Sequence, residues 1–203
     1  MRAFRIEGDW GFDNLKLSDQ PEPGPPGPGE VQLRMRAASL NYRDLLVPDR
    51  GYGRLTGELP LIPVSDGVGE VIAVGEGVSR VAVGDRVCPT FFQNWIAGEP
   101  SPAAFASGLG GPIDGAMADI RTFPERGVAR VPEHLTDVEA ATLPCAALTA
   151  WSSISTYGHV RPGERVLVQG TGGVALFALA FAKLHGAHVT VISSSDEKLE
   201  RVR

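Results

Sequence analysis

Cysteine is nearly absent. The 203-residue chain has two, Cys88 and Cys145, far apart in sequence, which excludes a disulfide framework. Long hydrophobic runs are also missing. The longest apolar stretches contain glycine or are too short to span a bilayer, so no membrane partner is expected. The opening Met1-Arg-Ala-Phe-Arg-Ile lacks the apolar core of a secretory signal. Nor is there an excess of positive charge. Nineteen Lys and Arg against 24 Asp and Glu give a formal net charge of -5. The charge is balanced along the chain, which excludes a nucleic-acid footprint. A cytoplasmic chain of one or two domains is the expectation.

Glycine and proline are abundant, and they divide the chain into two textures. Up to residue 131, short β-type runs alternate with Gly and Pro turns: residues 3–6, 31–37, 69–74, 86–89 and 117–122. That spacing predicts a compact, mostly antiparallel, barrel-like domain over residues 1–131. Residues 21–29 form a Pro- and Gly-dense extended connector. From residue 132 to 203 the texture is α/β. Thr136-Asp-Val-Glu139 is a capping box that opens a helix, Pro144 interrupts it, and residues 145–157 read as a further helix.

The densest signal is Val166-Leu-Val-Gln-Gly170-Thr-Gly-Gly-Val-Ala175. A short apolar run enters a glycine cluster, and an apolar helix follows over residues 174–185, with Gly186 as its stop. Strand, tight turn and helix N-terminus together cradle a dinucleotide diphosphate. Gly170 supplies a positive φ at the strand exit, and Gly172 removes the Cβ that would block a phosphate. Thr171, Gly173 and Val174 complete the turn, and Ala175 lets the helix lie close on the sheet. An ordinary βα turn without ligand is the alternative, and the strand-turn-helix context disfavours it.

A second strand, His188-Val-Thr-Val-Ile192, ends in Ser193-Ser194-Ser195 rather than in the acid that would hold an NAD ribose. Asp196 and Glu197 read as first-turn residues of a helix capped by Ser195. Serine hydroxyls can donate to a 2′-phosphate, with Lys198 or Arg201 adding charge, so NADP(H) is favoured and NAD(H) remains open. A solvated helix face is the other reading of Lys198 and Arg201.

Six segments carry a resemblance to a known family: Ala38-Ser-Leu-Asn-Tyr-Arg-Asp44, Pro63-Val-Ser-Asp-Gly-Val-Gly-Glu-Val71, Val74-Gly-Glu-Gly-Val78, Val83-Gly-Asp-Arg-Val87, Leu143-Pro-Cys-Ala-Ala-Leu-Thr-Ala-Trp151 and Val168-Gln-Gly-Thr-Gly-Gly-Val174. The chain resembles the N-terminal three-fifths of a medium-chain dehydrogenase/reductase of the zinc-independent, quinone-oxidoreductase-like branch. The resemblance implies a GroES-like barrel domain followed by an incomplete Rossmann domain, and a homodimer in the full-length form. It leads us to expect a fragment or truncated reading frame, inactive alone.

By that resemblance, zinc-dependent members carry Cys at the position of Asn41, His at Ser65 and Cys at Cys145. One thiolate with an amide and a hydroxyl is a poor set for zinc, and the structural four-cysteine cluster is missing, so no metal is expected. Cys145 then reads as a small buried residue, with a pocket role left open by its helix start near the cofactor. The resemblance places Asn41 and Tyr42 at the nicotinamide end of the cleft and Thr149 against the coenzyme. Tyr52 is a further hydrogen-bond donor, and Arg43 and Asp44 hold the segment. Asp66 serves either as a remnant of the metal shell or as a turn cap. Phe91, Phe92 and Trp95 are either an apolar substrate wall or packing. The implied activity is metal-free hydride transfer from NAD(P)H to a quinone, enone or small carbonyl, whose oxygen needs donors from the protein. A zinc-free NAD-dependent alcohol dehydrogenase and a non-catalytic NADPH-binding protein are the alternatives.

Overall fold

The structure, a computed structural model, describes residues 1–53 and 56–203. It contains two compact units, Met1–Pro144 and Cys145–Arg203.

In the first unit, β1 (Arg2–Ile6) and β2 (Leu15–Asp19) form an antiparallel pair. A five-stranded antiparallel sheet follows, made of β3 (Glu30–Ser39), β4 (Asp66–Val74), β5 (Arg86–Pro89), β6 (Ile120–Pro124) and β7 (Val128–Arg130), in the order β6-β3-β4-β5-β7. Its β-branched and aromatic residues suit a pleated surface. Val31, Leu33, Val71, Val87, Phe123 and Val128 close one core. Register shifts in β3 opposite β4, at Gln32/Leu33 and Met35/Ala37, sharpen the local twist that an antiparallel barrel needs. Two short helices, α1 (Arg43–Leu46) and α2 (Pro102–Phe105), lie in the long connections.

The sixth strand begins later than the sequence predicts. Residues 117–119 turn to β1, where the Phe4 N–H donates to the Met117 carbonyl at 2.9 Å and Ala3 bridges Ala118, although the Asp119 carbonyl still accepts from the Met35 N–H of β3 at 2.9 Å. A shallow hollow of about 270 Å³ opens there, lined by Phe4, Leu17, Met35 and Met117 among others, and contains none of the expected site residues.

Helix α3 (Asp137–Ala141) opens with the expected capping box between Thr136 and Glu139. Ala140 and Ala141 pack on Val68 and Cys88. Asp137 takes Arg86 at 2.9 Å and Arg36 at 3.3 Å. This docking carries the first compact unit on to Pro144, beyond the change of texture at residue 131.

The Arg86 hydrogen bond, with Arg36 in support, holds the Asp137 carboxyl below the usual carboxylate range. A depressed carboxylate stabilises the fold above its unfolded pKa, and that stability is lost as pH falls through the folded value. Asp137→Asn should therefore lower stability at neutral pH by about 1 kcal/mol and flatten the acid limb below about pH 4. Urea melts at neutral and acid pH check this. An unchanged acid limb would remove Asp137 from the account.

In the second unit, β8 (Arg165–Gln169) and β9 (His188–Ile192) pair in parallel, with Gln169 opposite Ile192. Helix α5 (Gly173–Leu184) connects them, and α6 (Asp196–Glu200) follows. Gly186 ends α5 with φ 77°, as the sequence predicts. Helical structure runs without a break from π-helical Leu143–Ala147 through α4 (Leu148–Trp151) to π-helical Ser152–Tyr157. Pro144 thus sits in the first turn of this stretch instead of interrupting a helix, because a first-turn residue needs no intrahelical N–H partner. Trp151 meets Phe181 edge-on at 5.4 Å and packs α4 on α5. Leu167, Leu184 and Ile192 remain exposed. Among the described residues, no helix is long and apolar enough to cross a membrane.

Candidate active site and coenzyme turn

The second unit brings the glycine turn and the serine tip together. Both follow neighbouring parallel strands at their C-terminal ends, and the Gly170 N–H donates to the Ile192 carbonyl at 2.7 Å. Gly170 has φ 91°, which favours glycine. Gly172 differs. It is the N-cap of α5, with φ -81° and ψ 178°, a conformation open to any residue. A Cβ there would meet no heavy atom within 4 Å. No side chain caps α5. The N–H groups of Gly173, Val174 and Ala175 therefore lack intrahelical acceptors, and the helix dipole adds partial positive charge. A group with phosphate oxygens fits this cradle.

Thr171 lies half-buried between the two glycines. Ser195 caps α6 by accepting from the Lys198 N–H at 3.3 Å, and Ser193 accepts from the Ser195 N–H at 3.3 Å. Both hydroxyl protons remain available to an anion. Ser194 and Lys198 are exposed. Thr149 is exposed on α4, and its carbonyl accepts from Ser153 Oγ at 2.9 Å. A Cβ at Gly173 would lie 3.6 Å from Ala146, so the same helical stretch borders the turn.

In the first unit, Asn41 and Asp44 lock each other. The Asn41 N–H donates to Asp44 Oδ2 at 2.7 Å, and the Asp44 N–H donates to the Asn41 carbonyl at 2.9 Å. Asn41 Nδ2 is buried and has no hydrogen-bond partner. Burial pushes the Asp44 carboxyl above the usual carboxylate range, against the pull of the Asn41 N–H and Arg43. Arg43 pairs with Asp44 at 3.5 Å, as the sequence predicts. Tyr42 is 77% exposed, so it presents its ring to solvent. The Tyr52 ring packs against the cluster of Ile6, Val47 and Leu61.

Phe91, Phe92, Trp95 and Phe105 form one aromatic cluster, with centroid separations of 4.6–5.9 Å. Phe105 lies on α2, and its membership was not legible in the sequence. The same is true of the Leu109 and Gly110 carbonyls that accept from the buried Arg43 side chain. Their partners stand some 66 and 67 residues away along the chain, beyond the reach of any local pattern.

Two of the three side chains that the resemblance names at the metal positions are poor zinc ligands. The buried Ser65 hydroxyl is committed to Asp66 Oδ1 at 2.7 Å, and Asn41 presents an amide nitrogen. Cys145, the one thiol that the resemblance places in the set, is half-buried rather than buried as expected, while the buried thiol is Cys88, which donates to the Ala140 carbonyl. Among the described residues, no three His, Cys, Asp or Glu side chains form a metal-binding group.

Barrel-like antiparallel sheet, then a parallel βαβ unit with a glycine turn, defines a two-part nucleotide-dependent architecture. The alcohol dehydrogenase GroES-like domain family matches residues 27–133, over half of the chain. A zinc-type alcohol dehydrogenase-like protein of Schizosaccharomyces pombe is 47% identical over 192 residues, covering 94% of this chain and 55% of its own length. The crystal structure of a candidate alcohol dehydrogenase from Sinorhizobium meliloti 1021 is similar with a TM-score of 0.91 and 44% identity, over 98% of this chain and 59% of that one. A cobalt- and zinc-bound thermostable alcohol dehydrogenase from Pyrobaculum aerophilum is similar with a TM-score of 0.84 and 33% identity, over 100% of this chain and 62% of that one. The chain belongs to the medium-chain dehydrogenase/reductase superfamily, as a GroES-like domain and the first two strands of a Rossmann-type sheet. It spans a little over half the length of these relatives.

Proposed function

We propose that the protein is a metal-free, NADPH-dependent oxidoreductase that passes hydride to a quinone, enone or related small carbonyl. The observation that carries this reading is Asn41: its buried Nδ2 donor has no partner, at the position where, by the resemblance, zinc-dependent members carry a cysteine. A buried unpaired donor costs about 1–3 kcal/mol, so it calls for an acceptor, and a carbonyl oxygen is one.

When bound, NADPH supplies a hydride from its nicotinamide ring. The remaining roles belong to this chain. The N–H groups at Gly172, Gly173 and Val174 hold the diphosphate. Ser193 and Ser194 donate to the 2′-phosphate, with Ser195 capping the helix behind them and Lys198 adding charge. Thr149 touches the coenzyme from its helix. Asn41 Nδ2 and the Tyr52 hydroxyl donate to the acceptor's oxygen, where negative charge grows as hydride arrives. Tyr42 offers an exposed ring at the same end. The proton that completes reduction comes from solvent. The protein is proposed to act as a cytoplasmic homodimer.

The test is turnover of a quinone and enone panel by chelator-treated protein, with elemental analysis and parallel NADPH and NADH titrations. Activity without bound zinc and a preference for NADPH are expected. Stoichiometric zinc that activity requires would overturn the mechanism. Equal affinity for NADH would overturn the role of the serine tip.

A further inference from the structure

We propose that Arg43 is a positioning residue, which holds the donors Asn41 and Tyr52 and the Phe91 ring in one fixed arrangement; this rests on the hydride-transfer reading above. The side chain stands at the start of α1 and is 5% exposed. Its guanidinium meets four segments of chain. Nη1 donates to the Leu109 carbonyl at 2.9 Å, and Nη2 reaches the Gly110 carbonyl at 3.4 Å. Nη1 lies 3.5 Å from Asp44 Oδ1, while the other oxygen of that carboxylate holds the Asn41 N–H. Cζ stands over the Tyr52 ring at 4.8 Å from its centroid and over the Phe91 ring at 4.9 Å.

Burying a guanidinium is expensive, and an apolar residue of similar volume would fill the same space at less cost. A purely structural filler therefore does not explain an arginine here. Its planar fork does. One flat, rigid group donates to two carbonyls, pairs with a carboxylate and stands over two aromatic rings, a set of contacts that a lysine cannot reproduce. The segments joined are those that bear the candidate donors and the aromatic wall. Tyr52 has no hydrogen bond of its own among the described residues, so the ring contacts with Arg43 and its apolar cluster are what orient it. Arg43 touches no reacting atom in this account. It acts through Asp44 on Asn41 and through the ring face on Tyr52.

A double-mutant cycle separates positioning from mere stability. Arg43→Lys, Tyr52→Phe and the double variant are assayed in the protein as expressed from its gene, for kcat and KM with an enone, NADPH affinity and thermal midpoint. Arg43→Lys is expected to lower kcat about 10- to 100-fold, with NADPH affinity within about twofold, and the double variant to be no slower than the worse single one. Independent, multiplying effects would overturn the proposal. So would wild-type kcat in Arg43→Lys.

Amide hydrogen exchange gives a readout that does not depend on turnover, and it decides the matter if no enone or quinone is reduced. Arg43→Lys should speed exchange at Asn41, Gly51, Leu109 and Gly110 while the β3–β4 amides stay protected. Unchanged exchange at those four sites would overturn the proposal even in an active enzyme. If Arg43→Lys does not fold, Phe91→Leu, which removes one of the two rings beneath the guanidinium, carries the same expectations.

Discussion

Gly172→Asp should leave the protein as stable as before, or slightly more so, while NADPH binding falls by about 1,000-fold, a loss of about 4 kcal/mol. The two effects have opposite signs because the backbone and the ligand ask different things of this position. The extended φ and ψ of Gly172 suit any residue, and a Cβ has nothing within 4 Å to strike. Aspartate is a better N-cap than glycine, by a few tenths of a kcal/mol. Its carboxylate would accept from the first-turn amides of α5 and complement the helix dipole. Those same amides are the donors that a diphosphate needs, and the new negative charge stands where phosphate oxygens would come. Thermal melts and fluorescence titration with NADPH measure both sides.

Gly170 is the contrast. With φ 91°, any side chain there strains the backbone, so Gly170→Ala should cost about 1 kcal/mol or more of stability. A Gly172→Asp protein that melts early, or that binds NADPH as the parent does, would return Gly172 to an ordinary turn residue.

The contrast between these two glycines also shows what the sequence could reveal. The turn was legible because all its parts are local: a strand of five residues, a glycine cluster and the start of a twelve-residue helix. The capping box at Thr136 and the stop at Gly186 were legible for the same reason. The sixth strand was misplaced because residues 117–119 answer chiefly to β1, more than a hundred positions away, and not to their own alternation. Pro144 misled in another way. Proline breaks a helix only in its interior, and the sequence does not announce that the helical stretch begins at Leu143. At the candidate active site, the segment from Asn41 to Asp44 was legible by resemblance, including the Arg43–Asp44 pair. The partners of Arg43 in the 108–111 loop were not, because a buried ionic contact between distant loops leaves no periodic trace.

Asn41→Ala should reduce kcat with an enone about 100- to 1,000-fold, with little change in NADPH affinity or folding stability. The reasoning starts from the orphaned donor. Asn41 Nδ2 is buried without a partner, so removing it relieves a desolvation cost that the folded protein otherwise bears. Alanine forfeits some packing, which offsets that relief, and the net change in stability should be small. The main-chain lock with Asp44 survives, because it uses the Asn41 N–H and carbonyl rather than the side chain. Only the transition state then suffers, since the donor is needed most when the acceptor's oxygen carries charge. Steady-state kinetics beside a melting curve resolve this. An undiminished kcat would mean that Nδ2 serves no reacting oxygen, whereas a fall in stability large enough to account for the lost activity would make Asn41 a structural residue.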